Sequence, residues 1–463
     1  MFYKLQGLVE HHNPKGEKTM KLQIERGKEE INSNGGLAIV GAIIKKLNLG
    51  LRANGVKVTA GDPRISNADV LCSYLALLSM GRVNFEDIEI YRKDKVFRVT
   101  LGIKNVPSEG TLRQRLDAAR GAFDPLIREF NAELLMHVKP TPVKAESGSY
   151  IPVDVDVTPF DNSKSHKEGV GRTYKGYDGY APIIAYAGLE GFMVESELRP
   201  GIQHCQKGTP EFLDKLLATL KKAWGSLGMK YLARFDSGND AKENLPRLNG
   251  EVDFIIKRNL RKETLDEWLA IAKTHGTAET PRDGKTVWIG ETVREVAGAG
   301  PVRIVFEVVE RFIKYNKKRG AYEQRLLIPE IEVATFWTSL PDKPKAVIEL
   351  YHQHGTSEQF HSELKSDMEV ERLPSGKFAT NATFLLLSML AYNIVRRIGV
   401  DLLDGTTDLP VRLDVDRRRI KSVITDIIRA ACKLVSGSGR LKLKMGESYA
   451  WFDPFRRLYL KYC

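Results

Sequence analysis

Cysteine is scarce. Cys72, Cys205, Cys432 and Cys463 are the only four in 463 residues, and no two form a Cys-x-x-Cys pair. That excludes a disulfide scaffold and a cysteine-built zinc site, and it suits a reducing compartment. No Gly-x-x-x-x-Gly-Lys-Ser/Thr loop occurs, so nothing supports an ATP-driven enzyme. Long hydrophobic runs are missing too. The longest nearly apolar stretch, Phe384 to Val395, has 12 residues with Asn393 inside, too short for a bilayer and suited to a buried helix. The opening residues MFYKLQGLVEHHNPKGEK lack the apolar segment of a secretory signal. No repeat of about 20–50 residues recurs. A soluble protein of a reducing compartment, without a membrane partner, is expected.

What is present is a long, apolar-enough chain with an uneven charge. At 42% hydrophobic residues the sequence supports a sizeable core, and its length corresponds to about three domains. Lys and Arg number 71 against 59 Asp and Glu, a formal net charge of +12. From Val411 to Cys463 there are 13 basic and 5 acidic residues, so +8 of that excess sits in the last 53 positions. A basic concentration of this kind is an electrostatic footprint for nucleic acid.

The patterning changes along the chain. Leu37 to Leu49 and Asn67 to Met80 carry helical apolar spacing, broken by Gly61-Asp-Pro63. Ser108 is placed to cap a helix with Leu112 and Leu116 inward and Arg113 and Arg115 outward, the layout of a helix entering a DNA groove and equally of an ordinary amphipathic surface helix. From Tyr150 the pattern becomes period two: Ile151, Val153, Val155 and Val157 on one face, Asp154, Asp156 and Thr158 on the other. Strands over 181–187 and 192–198 complete an antiparallel meander. Thr209-Pro210 then opens a helix with Phe212, Leu213, Leu216, Leu217, Leu220 and Trp224 as its stripe. Strands at 231–235 and 252–257 follow, which makes a mixed α/β sheet.

Between 259 and 340 the chain reads as a β-rich insertion. It has strand-like runs at 286–289, 302–309 and 325–328 and a basic cluster from Lys314 to Arg319. Trp288 and Trp337, in or beside it, suit core packing better than base stacking. The α/β region resumes at Ala346 to Leu350. Thr356 can cap a helix running to about Val370, and an apolar helix covers 379–398. The tail holds Arg417, Arg418, Arg419 and Lys421, a helix to Val435, and the strand-like Leu-Lys-Leu-Lys-Met run at 441–445.

Three carboxylates stand out. Asp156 lies on the polar face of a strand, Asp236 where a buried strand meets a Ser-Gly turn, and Glu358 in the first turn of a helix. Converging carboxylates select hard cations such as Mg²⁺ or Mn²⁺. Around Glu358, Tyr351, His354 and Lys365 complete the spacing Tyr-(2)-His-(3)-Glu-(6)-Lys. This resembles the Tyr-Arg-Glu-Lys signature of DDE transposases from bacterial insertion sequences, with His354 where that family usually has Arg. The Asp154-Val-Asp-Val-Thr158 and Arg234-Phe-Asp-Ser-Gly238 blocks resemble its two aspartate strands. Leu373-Pro-Ser, Asn381 and Leu390-Ala-Tyr-Asn393 resemble the helices after its glutamate. The resemblance covers roughly 147–398.

That resemblance implies an RNase H-like core that cuts an element at its terminal inverted repeats. The freed 3′-hydroxyls then join target DNA by transesterification, using two Mg²⁺ or Mn²⁺ ions per site and at least a homodimer. It implies Asp156, Asp236 and Glu358 as metal ligands. Asp156 is preferred to Asp154 because the family's first aspartate precedes Thr by two positions. Tyr351, His354 and Lys365 match phosphate-contacting positions, and the imidazole of His354 lacks the fork of Arg. The expected layout is a helical DNA-binding domain over 1–146, a core in two parts over 147–258 and 341–400, an insertion over 259–340, and a basic domain over 401–463. A catalytically inactive DNA-binding repressor or domesticated factor is the alternative. Gly355 argues against the one unbroken helix that a di-metal carboxylate bundle would need here, and no histidine begins the His-x-x-Arg of a tyrosine recombinase.

Overall fold

A computed structural model describes residues 22–27, 29–316, 321–404, 409–411, 415, 417–437 and 439–463, without the side chains of 314–316 and 321–325. The basic cluster from Lys314 to Arg319 lies outside the described side chains. The architecture is mixed α/β, organised on a ten-stranded sheet.

The centre of that sheet is five strands. Gly148–Val157, Ile183–Ala187 and Phe192–Glu197 form the antiparallel meander, while Lys230–Phe235 and Asp253–Lys257 add parallel to the first strand's other edge. Numbered one to five along the chain, they lie in the order 3-2-1-4-5. Parallel strands have both faces covered. Accordingly Gly148–Val157 is buried on both faces over most of its length, Asp154 included, which the sequence alternation alone does not predict.

Helices cover the two faces. Thr209–Trp224 starts one residue earlier than Thr209 as cap would require, with Gly208 at the cap and φ of +76°. The apolar stretch becomes the 26-residue helix Phe378–Leu403, long and apolar enough to cross a membrane but with 83% of its apolar window buried inside the protein. The amide in its middle, Asn393, explains itself: Oδ1 accepts the Met193 N–H at 2.8 Å, and Nδ2 donates to Asn131 Oδ1 at 2.7 Å. A buried amide with paired partners fixes the helix register on the outer strand of the meander.

The insertion is longer in strand than its apolar runs suggest. Gly276–Arg282, Lys285–Val296, Gly300–Asn316 and Ala321–Thr338 form an antiparallel extension, joined to the central sheet where the last strand pairs with Asp253–Lys257. Trp288 and Trp337 are both buried in it.

Two expectations are corrected in the tail and the N-terminal half. The helix expected up to Val435 ends by Ile428, and Cys432–Gly437 turns back as a strand against Arg440–Met445 and Ile31–Asn32. One apolar cluster joins the N-terminal helices, Phe384 to Leu402, Ile420 to Ile428 and Phe455 to Tyr462, so it runs across the boundaries at 146 and 400. Arg115 is not on the outer face of its helix. It is 4% exposed and donates to the carbonyls of Ala60 and Ile65 and to Asn67 Oδ1. A guanidinium has five donors in a fixed fork, and this one ties the Val56–Asn67 loop to helix Glu109–Ala119.

Candidate active site

The two aspartates meet because of strand register. Gly148–Val157 and Lys230–Phe235 run parallel with Asp154 opposite Arg234 and Val155 opposite Phe235. One step further, Asp156 comes beside Asp236 at the carboxyl ends of neighbouring strands, which lie about 4.8 Å apart. Strand ends of this kind are where sites form in α/β sheets. Asp236 caps the short turn Ser237–Asn239: its Oδ1 accepts the Gly238 N–H at 3.0 Å and the Asn239 amide at 3.1 Å. The same loop is clamped from the insertion side. Asp240 accepts from Trp337 Nε1 at 3.0 Å and from the Asn259 N–H at 2.8 Å.

The electrostatics record the pairing. Burial, and then the charge of Asp156, push the Asp236 carboxyl above its ordinary value. Burial acts on Asp156 the same way, but the His361 hydrogen bond and the charges of His361 and His354 outweigh it, so its pKa is lowered. His361 Nε2 lies 3.4 Å from Asp156 Oδ2, and its Nδ1 lies 3.4 Å from the Tyr186 hydroxyl.

Asp154 faces the same way and is already engaged. Arg234 Nε and Nη2 grip its two oxygens at 2.6 and 2.8 Å, and His354 Nδ1 lies 2.9 Å from Oδ1. Arg234 also donates to the Leu350 carbonyl, so this buried triad holds helix Pro344–His352 onto the sheet.

Glu358 does not join the pair. Its side chain is exposed and lines a separate surface pocket with Leu189, Gln359 and Arg417. The cause is local winding. Gln353–Thr356 is a 3₁₀ turn and the α-helix starts only at Ser357. A 3₁₀ turn advances about 120° per residue against about 100° in an α-helix. Three such steps from His354 bring Ser357 to the sheet and turn Glu358 aside, and His361 then returns to the sheet-facing side.

Of the expected phosphate-contacting residues, Tyr351, His354 and Lys365 gather around the aspartates. Burial, and then the charges of Asp236, Asp156 and Asp154, raise the pKa of Tyr351. Lys365 Nζ donates to the Pro159 carbonyl at 2.6 Å, beyond the end of the Asp156 strand, and burial lowers its pKa. Arg113 is exposed and paired with Glu109. The tail arginines are largely engaged in the fold: Arg417 with Glu363 and Gln359, buried Arg418 with Asp426, and Arg419 with Asp367. Lys421 is exposed.

Three neighbours of the pair are not among the expected site residues. Cys205 Sγ donates to the Gly238 carbonyl, Tyr174 donates to the Val157 carbonyl, and His361 stands against Asp156. Only His361 was findable, seven residues after His354 and therefore on one helical face with it.

The model of the transposase DDE domain, group 1, matches residues 13–462 of the chain. The chain belongs to this DDE transposase family. The family is one of enzymes that cut and join DNA with divalent metal ions. Among proteins of curated function, none shows significant similarity to the chain. A solved structure of a piggyBac transposase synaptic complex with hairpin DNA aligns with a TM-score of 0.40 and 11% identity, covering 93% of this chain and 80% of that one.

The metal requirement of a DDE transposase can be set against the residues present. Asp156 and Asp236 supply hard oxygen donors, and their mutual repulsion, visible in the raised Asp236, is what a cation between them would relieve. Among the described residues no group of three or more His, Cys, Asp or Glu side chains is arranged to hold a metal ion. A Mg²⁺-type site can use one or two carboxylates and leave its other positions to water and substrate phosphate. The two aspartates fit.

Proposed function

We propose that the chain is the transposase of a bacterial insertion sequence. It binds the terminal inverted repeats, cuts the element from donor DNA and joins the 3′-hydroxyl ends to target DNA. The observation that carries the reading is the Asp156–Asp236 pair at the ends of adjacent parallel strands. The 3-2-1-4-5 strand order with three antiparallel and two parallel strands supports an RNase H-like core interrupted by the insertion. Asp156 and Asp236 would hold Mg²⁺ or Mn²⁺, which when bound activates the attacking oxygen and stabilises the leaving oxygen of an in-line displacement.

The chain's own groups supply the rest. Lys365 and Tyr351 flank the pair where a DNA phosphate would lie, and the Arg234–Asp154–His354 triad fixes the strand ends. Glu358 enters the proposal on its sequence pattern alone, as a third ligand that would have to turn from its exposed position in this structure toward the pair. A homodimer on paired DNA ends, in the cytoplasm, completes the reading.

The test is cutting of a duplex carrying the element's terminal repeat, with Mg²⁺ or Mn²⁺. Metal-dependent nicks at the repeat boundary are expected. Binding without cutting under any divalent metal would favour the inactive DNA-binding factor instead. In the same assay Glu358→Ala is expected to stop cutting, and normal cutting by that variant removes Glu358 from the site.

DNA affinity is expected to draw on exposed tail charges rather than on the paired arginines. Lys421, Arg440, Lys442 and Lys444 are exposed. Changing all four to Gln is expected to flatten the plot of log affinity against log salt by roughly 3–4, at about 0.9 per phosphate contact. An unchanged slope, measured by fluorescence anisotropy, would place the DNA track elsewhere.

A further inference from the structure

Beside the aspartate pair lies a short turn that the functional reading leaves unused. In Thr173–Tyr177 both the backbone N–H and the hydroxyl of Thr173 donate to the Tyr177 carbonyl, at 2.9 and 2.8 Å. Gly176 sits at φ +84°, a conformation that suits glycine. Two tyrosine hydroxyls pin the turn onto the chain leaving the Asp156 strand: Tyr174 to the Val157 carbonyl at 2.9 Å, and Tyr177 to the Pro159 carbonyl at 3.2 Å.

Tyr174 is therefore fixed at its tip and yet 64% exposed. Its hydroxyl sits on the residue that follows Asp156, while the Lys175 ammonium lies 5.6 Å from the ring centroid. The charges of Asp156 and Asp236 both act on its hydroxyl, raising its pKa after burial has done so. A fold has little use for an immobilised aromatic face turned to solvent. A DNA strand has one, because every base offers a π-face and stacking on a fixed ring loses little freedom.

We propose that Tyr174 is a stacking platform for the base next to the cut phosphate, with Lys175 serving the adjoining phosphate. The proposal rests on the reading of Asp156 and Asp236 as the metal site, and it names which part of the DNA is held beside that site. The ring orients the strand so that its phosphate is presented to the carboxylates; Tyr174 is a positioning residue.

The test uses the full chain and a duplex of the element's terminal repeat. The duplex carries 2-aminopurine at one of the three nucleotides on either side of the cut, in Ca²⁺ to hold the uncut complex. The parent is expected to quench one of these positions on binding. Tyr174→Leu should lose that quench and cut about 10-fold more slowly in Mg²⁺, the size of one base–aromatic stack. Tyr174→Trp should restore both. Quenching by Tyr174→Leu equal to the parent's would overturn the proposal, as would a Trp variant no better than Leu. Asp236→Asn separates the two ideas: it should keep the quench and lose cutting. If it cuts normally, the metal-site reading fails, while the fate of Tyr174 is still decided by the quench.

Discussion

Asp236→Asn is expected to be more stable than the parent in metal-free buffer while losing DNA cutting by roughly a thousandfold or more. The loss follows from removing one of two carboxylates that would hold the ion, since a bound divalent cation contributes several kcal/mol of transition-state stabilisation. The gain follows from the same geometry. Two like charges at adjacent strand ends disfavour each other, and Asn keeps the Oδ1 that caps Ser237–Asn239. Relief of about 1 kcal/mol is in the usual range for removing strain at a functional site.

The pH dependence has a definite sign. Asp236 has a folded pKa above the ordinary 3.8, so its ionisation is harder in the folded protein than in the unfolded chain. The protein therefore holds its full stability from this group below 3.8 and loses part of it as pH rises through the raised folded value. Asn does not ionise, so its advantage should be present at pH 7, shrink as pH falls through the raised folded value and be gone below 3.8. Adding Mn²⁺ should raise the parent's unfolding midpoint and not the variant's. A parent indifferent to Mn²⁺, or a variant that cuts, would show that the pair is not a metal site.

Much of the site was legible because strands announce themselves by period two. The Tyr150–Thr158 alternation and the buried run ending at Asp236 located both aspartates, and each strand's carboxyl end then follows. What the period could not give was winding. Glu358, read as the third ligand on the pattern Tyr351, His354, Glu358, Lys365, is turned aside by one 3₁₀ turn, and a spacing argument assumes uniform helix from end to end. Arg115 failed for a related reason. The i, i+3 relation to Leu112 places it close to the inward face, yet its charge led it to be read as outward, whereas a long guanidinium can be buried when backbone carbonyls satisfy it. Tyr174 could not be found at all. It lies in a Gly-rich connection without periodicity, and its meaning comes only from which carbonyl its hydroxyl reaches.

Asp154→Ala is expected to damage the fold rather than the chemistry. Arg234, 1% exposed, would lose both carboxylate oxygens that it grips, and His354 would lose its acidic hydrogen-bond partner in the triad. Breaking a buried ion pair by removing one member costs about 3–5 kcal/mol, a large share of the ~5–15 kcal/mol that holds a domain folded. Removing both charges should be far milder, because no guanidinium is then stranded in the core: Asp154→Leu with Arg234→Met should regain most of the lost urea midpoint. A metal ligand behaves in the opposite way, since its loss stops cutting without unfolding the chain and no second-site change at Arg234 restores it. Denaturation and cutting measured on the same three proteins therefore separate brace from ligand. If Asp154→Ala keeps the parent's midpoint and stops cutting, the first metal-binding aspartate lies one pleat earlier, at 154, and Asp156 becomes its neighbour.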